Sequence, residues 1–284
     1  MKYPEKLEKT ARELGFQEKI KEMQLLAIGP FKDVRLFYQD AEQIFNKETT
    51  KKIEDAWKKH LEKRPNDFPG TLAHTQGLNI SKDNQMELLL QKTRYDMFIG
   101  TREPGKPRIL PQNKIWGENY SLPFSFGAVT ITNDNAIVCG LRGKTGLESN
   151  LLTTLPSGYF NPEVHVIYPD YARGKKEPSL LALITTELRE ELGLEWFQEI
   201  KPLGIMQDCN GSQQPLMTVR IKLALTSNEV REKFKRAGKE IEKIVFLNNN
   251  LRAIRKIQEE GFEWTGHDYG KLLLHFALLP YLSC

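Results

Sequence analysis

The spacing of apolar residues predicts a mixture of helices and strands in the first hundred residues. Residues 5–24 and residues 41–63 carry apolar side chains at helical spacing within a charged background, which is typical of amphipathic helices. Between them, residues 25–38 predict a short extended run. Residues 70–80 and residues 86–92 flank a Lys-Asp-Asn turn and predict a β-hairpin. The N-terminal part is therefore predicted to be α+β.

A second hairpin and a strong helix are the clearest elements of the remaining sequence. Residues 124–132 and residues 136–142 lie on either side of an Asn-Asp-Asn turn, which is a good hairpin signal. Residues 180–192 predict a helix, with Pro178 suited to its first turn and Gly193 to its C-terminal cap. The pattern then predicts three further strands and three further helices: residues 203–207, 216–225 and 244–247, and residues 227–237, 249–260 and 267–282. Strands and helices thus alternate around a mixed sheet.

The clearest break in the pattern is residues 101–114, which contain three prolines and little apolar content. Proline at this density disfavours both helix and central strand, so we interpret the segment as a linker or an exposed crossover. The break predicts two domains: a smaller α+β N-terminal domain over residues 1–112 and a larger domain over residues 113–284.

Charge and composition narrow the class of partner. The formal net charge is +4 over 284 residues, and Lys and Arg are interleaved with Glu along the chain. A protein that coats DNA or RNA normally concentrates its basic residues on one face, so we do not expect nucleic acid as a partner. A mild positive balance suits a small anionic metabolite instead. Nothing in the sequence indicates an oligomeric state.

The cysteines and the apolar runs bear on the compartment. Cys139, Cys209 and Cys284 are widely separated and form no C-x-x-C pair, which argues against a disulfide framework and against a structural zinc site. Residues 1–21 are charged throughout and contain no apolar run of signal-peptide length. The longest apolar stretch, residues 272–280, is too short to span a bilayer. We therefore expect a cytoplasmic protein with no membrane partner.

Three carboxylates in the predicted helix 180–192 are the first candidates for chemistry. On a helix, Glu187, Glu190 and Glu191 fall within an arc of about 100°. A neighbouring stripe can pack into the core: Leu181, Ile184, Leu188 and Leu192. Like charges on one patch repel, and a bound hard cation such as Mg²⁺ or Mn²⁺ would reverse that local energy. The alternative from these residues alone is a solvated acidic face without a ligand.

The sequence around these acids resembles the Nudix box, G-x5-E-x7-R-E-U-x-E-E-x-G-U with U aliphatic. Glu187 matches the glutamate after the arginine, Leu188 the aliphatic position, Glu190 and Glu191 the glutamate pair, and Gly193 and Leu194 the closing pair. The resemblance covers about residues 115–284. It implies an α+β fold, the Nudix α/β/α sandwich with a mixed sheet, preceded here by the smaller N-terminal domain.

The resemblance also implies a reaction and a set of site residues. Nudix enzymes are hydrolases in which water attacks one phosphorus of a nucleoside diphosphate derivative, with Mg²⁺, or Mn²⁺, as the cofactor. Here the metal would be held by the catalytic glutamates Glu187, Glu190 and Glu191. The substrate would contact Gly158, Arg142 and Lys144. The general base differs among the families, so a box glutamate such as Glu190 and the loop acid Glu163 both stay open.

This sequence departs from the box in three places. Thr186 stands where the box has arginine, and Ser157 stands where many members have glycine. Gly158 and Thr186 are 186 − 158 = 28 positions apart, so about 14 residues are inserted relative to the motif. The first glutamate of the box would fall at Pro178, one position after Glu177. These differences affect the loop more than the three metal-site glutamates.

Weaker strings resemble one subfamily, the UDP-glucose and UDP-galactose hydrolases, which also have an extra N-terminal domain. The similar strings lie at residues 92–96, 98–101 and 202–205. The implied reaction is UDP-sugar plus water to UMP plus sugar 1-phosphate, so the protein would be a nucleoside diphosphate-sugar diphosphatase. Other diphosphates remain alternatives: ADP-ribose, a dinucleotide, coenzyme A or capped RNA. A non-catalytic sensor of a nucleotide metabolite is the third hypothesis. We expect the N-terminal domain to cover the nucleoside end of the substrate.

Overall fold

The computed structural model describes residues 3–103, 106–110, 116–117, 119–143, 151–170, 175–234 and 241–282. The N-terminal elements are α1 (Tyr3–Leu14), α2 (Gln17–Ile20), β1 (Met23–Ile28), β2 (Asp33–Glu42), α3 (Lys47–Lys63), β3 (Thr71–Ile80), β4 (Gln85–Arg94) and α4 (Tyr95–Thr101). The next strands are β5 (Ser125–Ile131), β6 (Ala136–Arg142), β7 (Leu152–Thr154), β8 (Ser157–Tyr159), β9 (Val166–Asp170) and β10 (Lys175–Pro178). The remaining elements are α5 (Leu180–Leu192), β11 (Glu199–Asp208), β12 (Pro215–Lys222), α6 (Ser227–Lys233), β13 (Ile241–Asn248), α7 (Leu251–Glu259) and α8 (Gly266–Leu278).

A three-stranded sheet with the order β2-β4-β3 forms the core of the N-terminal part. Strands β3 and β4 pair antiparallel, which confirms the predicted hairpin, and β2 lies parallel to β4. The predicted helix 41–63 begins later, at Lys47, because Asn46 is its N-cap and accepts a hydrogen bond from the Thr49 backbone at 2.9 Å. Residues 41 and 42 belong to the end of β2 instead.

The larger sheet is mixed, as predicted. Its strand order is β1-β11-β12-β5-β6-β13, with β7 paired to β6 and β8 paired to β5. Strands β12 and β5 run parallel, whereas β5 and β6 form the predicted antiparallel hairpin. After β6 and β7 the chain returns to β5, and β8 pairs antiparallel with the start of that strand.

Helices cover both faces of this sheet. Phe126 and Ala128 of β5 belong to an apolar cluster that includes Leu188 of α5. Val129 belongs to a second cluster that includes Leu272 of α8. Because successive residues of a strand point to opposite faces, α5 and α8 lie on opposite sides of the sheet. The α+β class and the α/β/α arrangement are thereby confirmed.

Residues 3–28 lie outside the three-stranded sheet and pack with the larger one. Strand β1 is its edge strand and pairs antiparallel with β11. Leu7 of α1 lies in an apolar cluster with Leu278 of α8. A fragment that begins at residue 113 would therefore lack an edge strand and a packed helix. The division into residues 1–112 and 113–284 stays a prediction.

The residues inserted into the box form a hairpin of their own. Strands β9 and β10 pair antiparallel there, with Glu177 opposite Ile167. Pro178 ends β10 and is not in the first turn of α5, because Ser179 is the N-cap.

Among the described residues, none of the helices is long and apolar enough to cross a membrane.

Candidate active site

Helix α5 has the predicted bounds, and local chemistry explains both ends. The Ser179 hydroxyl accepts a hydrogen bond from the Ala182 backbone at 3.3 Å, which caps the N-terminus. Gly193 adopts a left-handed conformation with φ of 66° and ends the helix. The inward stripe needs one correction, since Leu181 is 51% exposed and Leu183 is buried in its place.

Strand β8 brings the box glycine against the first acid of α5. Gly158 pairs with Phe126, so a Cβ at position 158 would point toward the face of the sheet that carries α5. A Cβ added to Gly158 would overlap the Glu187 carboxylate and lie 2.9 Å from its Cγ. Only glycine leaves room for this contact, which explains the residue type at position 158.

The other two acids take different positions. The Glu191 carboxylate accepts a hydrogen bond from the Ser157 backbone N–H at 3.3 Å, one helical turn beyond Glu187. Glu190 is exposed on the side of α5. Two of the three predicted acids thus contact β8 directly. The described residues contain no group of three or more His, Cys, Asp or Glu side chains placed to hold a metal ion together.

The donor set fits a hard divalent cation bound with its substrate. Mg²⁺ is usually held by one or two protein carboxylates, and its other ligands are waters and substrate phosphates. Glu187 and Glu191 supply two carboxylates at one strand, and both donors are oxygen atoms. The residues present therefore suit Mg²⁺ better than a softer metal, which would favour sulfur or imidazole ligands.

Of the remaining candidate residues, the structure describes Arg142 and Glu177. Arg142 is partly buried at the end of β6, where its backbone N–H donates to Leu151 at 2.9 Å. Lys144 lies outside the described residues. Glu177 is partly buried on β10, in the inserted hairpin. The roles of Arg142 and Lys144 as phosphate contacts stay predictions.

Glu163, the loop acid proposed as a base, is exposed and bound to the N-terminal sheet. The Lys92 ammonium donates to its carboxylate at 3.0 Å, and Asp40 lies 3.7 Å from the same ammonium. The hydrogen bond to Glu163 raises the pKa of Lys92. Glu163 thus ties the loop after β8 to β4.

The N-terminal part of the chain contacts β8 and the residue after it through backbone and aromatic contacts. We call β8 the box strand, because it carries Gly158. The Ala73 backbone N–H of β3 donates to the Phe160 carbonyl at 3.1 Å. The Tyr159 ring lies 6.4 Å from the Tyr95 ring and 6.2 Å from the Phe98 ring, centroid to centroid. The Tyr159 hydroxyl donates to the Gln214 side chain at 3.0 Å.

Sequence reasoning missed Tyr159 and Gln214 as residues of this region. Tyr159 directly follows the box glycine, and that position was the available signal. Gln214 is separated from Tyr159 by 55 positions, so no local pattern could pair them. Phe98 is 2% exposed and is a packing residue, whereas Tyr95 is partly exposed.

His165 is the histidine closest along the chain to the box loop, and it is neutral. Burial lowers its pKa to about 4. Its Nδ1 accepts a hydrogen bond from the Asn161 backbone at 3.0 Å, so the proton of the neutral ring is on Nε2. His165 therefore stabilises the turn after β8.

Comparison with known proteins gives matches only at the level of structure. No family model matches the chain, and no curated protein matches it. A NUDIX hydrolase from Nitrosomonas europaea aligns over 55% of this chain and 90% of its own, with 14% identity and a TM-score of 0.37. A MutT protein from Methanosarcina mazei Go1 aligns over 56% of this chain and 94% of its own, with 12% identity and a TM-score of 0.34. A protein from Deinococcus radiodurans aligns over 54% and 82%, with 12% identity and a TM-score of 0.38. Because these values are low, the function has to be argued from the residues of the site.

Proposed function

We propose that this chain is a metal-dependent hydrolase of the Nudix type, which cleaves the diphosphate of a nucleoside diphosphate derivative. The observation that carries the proposal is the contact of two box acids with the box strand. Glu187 lies against Gly158, and Glu191 accepts from the Ser157 backbone. All four residues belong to the segment that resembles the box, and the fold brings them together although 29 or more positions separate the members of each contact along the chain, since 187 − 158 = 29 and 191 − 157 = 34.

In this proposal Glu187 and Glu191 hold Mg²⁺, and Glu190 completes the acid set on the exposed side. A bound divalent metal would neutralise charge on the phosphate oxygens and lower the pKa of a coordinated water. The Ser157 backbone N–H orients the Glu191 carboxylate, and glycine at position 158 leaves the room that the Glu187 carboxylate occupies. Arg142 and Lys144 would contact the phosphates as fixed cations.

The proposed substrate is a UDP-sugar, with UMP and sugar 1-phosphate as products. The support is the set of subfamily strings together with the position of the N-terminal sheet. The Ala73 backbone is hydrogen-bonded to the Phe160 carbonyl, directly after the box strand, so the N-terminal part borders the candidate site. Specificity for the nucleoside has to come from residues outside the box, and the partly exposed Tyr95 is a candidate to stack on the base.

Phosphorus NMR of the full chain with Mg²⁺ and UDP-glucose tests the substrate. Appearance of UMP and glucose 1-phosphate is the expected result and identifies the bond that breaks. If UDP-glucose is inert and ADP-ribose, a dinucleotide, coenzyme A or capped RNA is cleaved, the hydrolase proposal stands and the UDP-sugar proposal is wrong. No cleavage of any of these compounds would overturn the hydrolase proposal.

A matched pair of variants tests the acids. We expect Glu191→Gln to lower Mg²⁺-dependent turnover by about 100-fold or more, because it removes a negative ligand without changing the shape of the side chain. Glu195→Gln is the control, since Glu195 is exposed beyond the end of α5. Equal turnover in both variants would exclude Glu191 from the site.

A second candidate function is a non-catalytic protein that binds a nucleotide metabolite. The observation that favours it is that the described residues contain no three-acid metal group, with Glu190 pointing to solvent. Calorimetric titration of the wild type with UDP-glucose separates the two functions. Binding without turnover in the presence of Mg²⁺ would support the sensor, whereas turnover excludes it.

A further inference from the structure

An ion pair is buried between α8 and the larger sheet, on the face opposite α5. Lys271 is 1% exposed and Asp268 is fully buried, and the ammonium lies 2.6 Å from the carboxylate. Charged side chains are rarely buried to this extent, and a buried pair is in general no more stabilising than apolar residues of the same volume. The stability of the core therefore does not explain the pair.

The pair forms hydrogen bonds with every polar atom of one sheet residue, Thr154. Asp268 accepts hydrogen bonds from the Thr154 backbone N–H at 2.9 Å and from the Thr154 hydroxyl at 2.7 Å. Lys271 donates to the Thr154 carbonyl at 3.4 Å. Thr265, at the start of α8, donates its hydroxyl to the second carboxylate oxygen. Thr154 is thus fixed to α8 rather than only to its neighbouring strand.

Only Leu155 and Pro156 separate Thr154 from Ser157 at the candidate site, and both are held by hydrogen bonds. The Leu155 carbonyl accepts from the Thr130 hydroxyl at 2.6 Å, and the Pro156 carbonyl accepts from the Ala128 backbone at 2.8 Å. The next backbone N–H, that of Ser157, donates to Glu191. A shift of Thr154 would therefore pass along this short segment to the strand that contacts the acids.

The sheet is also adapted to the lysine. A Cβ added to Gly127 would lie 2.7 Å from Lys271 Cδ and 3.0 Å from its Nζ. Gly127 pairs with Ser157 across β5 and β8. The lysine stem thus lies against the sheet at Gly127, the position paired with the first residue of β8, and glycine is needed there to make room for it.

We propose that Asp268 and Lys271 are positioning residues, which set the place of the box strand against the acids of α5 from the opposite face of the sheet. This inference deepens the proposed hydrolase function and rests on it for its catalytic consequence. The structural part, that the pair orders residues 154–158, stands apart from any activity. Neither residue contacts the substrate region directly, so both act through Thr154.

The test compares two lysine variants of the full chain. Lys271→Met removes the charge and keeps an unbranched stem of similar length. The control is Lys201→Met, because Lys201 also pairs with an acid, Glu199 at 3.1 Å, and also donates to a carbonyl, that of Leu282 at 2.7 Å. Hydrogen exchange, urea unfolding and steady-state kinetics with Mg²⁺ are measured on both.

We expect Lys271→Met to raise amide exchange at residues 154–158 by about tenfold or more, while exchange in β11 stays as in the wild type. On a cleaved substrate, kcat should fall by about 10- to 100-fold with KM changed less than about twofold, as for residues that orient a ligating group. Lys201→Met should leave both unchanged.

A milder variant keeps the test decisive if Lys271→Met does not fold. Thr154→Val retains the shape and the backbone bonds of residue 154 and removes only the hydroxyl that donates to Asp268. It should raise exchange at residues 154–158 in the same direction. Wild-type exchange there in every folded variant would overturn the proposal. If the wild type cleaves no diphosphate, the hydrolase function fails, and the exchange data alone still decide whether the pair orders the strand.

Discussion

The contact between Gly158 and Glu187 allows a prediction from geometry. In Gly158→Ala the new methyl group would lie 2.9 Å from Glu187 Cγ and would overlap its carboxylate. Ordinary carbon contacts are about 3.5–4.0 Å, so the clash at Cγ alone is about 0.6 Å or more. Relief requires the carboxylate to move by about 1 Å, because the backbones of β8 and α5 are both held by neighbouring elements.

The expected magnitudes follow from this displacement. An added methyl group in a packed site lowers the free energy of unfolding by about 1–3 kcal/mol, whereas replacing glycine by alanine in a strand raises it by about 0.5–1 kcal/mol. We therefore expect Gly158→Ala to lower the free energy of unfolding by about 1–2 kcal/mol. A misplacement of about 1 Å at a catalytic group costs about 100-fold in turnover, so activity should suffer far more than stability.

Gly211→Ala is a matched control for the same kind of clash. Its new methyl group would overlap the Asp208 carboxylate and lie 2.9 Å from Asp208 Cγ, in the loop between β11 and β12. Urea unfolding and Mg²⁺-dependent diphosphate cleavage are measured on both variants. The stability losses should be similar, whereas only Gly158→Ala should lose turnover. Wild-type turnover in a folded Gly158→Ala protein would refute the assignment of Glu187 to the site.

Three further predictions follow from contacts elsewhere. Tyr159→Phe removes the hydroxyl that donates to Gln214, and urea unfolding should give a loss of about 1 kcal/mol; an unchanged midpoint would contradict this. Burial lowers the pKa of His275 to about 3 and that of His74 to about 4, so both groups bind protons more weakly in the folded chain. Stability should be complete above pH 6.5 and fall as the pH drops, by about 2 kcal/mol for each histidine by pH 5; constant unfolding midpoints between pH 7 and pH 5 would argue against it. Because Glu163 is exposed and paired with Lys92, Glu163→Gln should keep turnover within about threefold of the wild type, and a loss of 100-fold would identify Glu163 as the base.

Local patterns predicted the elements whose signals are local. Helix α5 has the bounds expected from its apolar spacing and its terminal glycine, and both hairpins have the expected turns. The inserted hairpin β9–β10 could not be predicted in this way, because prolines and charged residues conceal the alternation of a strand. Strand β1 overlaps the extended run predicted for residues 25–38, but its partner β11 lies about 180 positions later, so only tertiary packing identifies the pairing.

Some contacts of the candidate site were likewise predictable from the sequence, and others were not. The resemblance to the box assigned Gly158 and Glu187 to one motif although the spacing between them departs from it, and in the structure the two residues are in contact. The spacing gave no reason to separate Glu190 from the other two acids, because all three fall within one arc of an ideal helix. Lys271 directly precedes the apolar run of the last helix, but Thr154, the residue it holds, lies 117 positions earlier, so no local pattern could pair them.

The packing of α1 on α8 has a consequence for how the chain reaches this fold. Residues 3–14 leave the ribosome long before residues 266–278, and at about 5–20 residues per second the interval is on the order of tens of seconds. During that time the apolar face of α1 lacks α8, and the pairing edge of β1 lacks β11 until residues 199–208 have been made. The nascent chain therefore has a period in which chaperones can bind its N-terminal segment, and that period ends only when the last helix has been made.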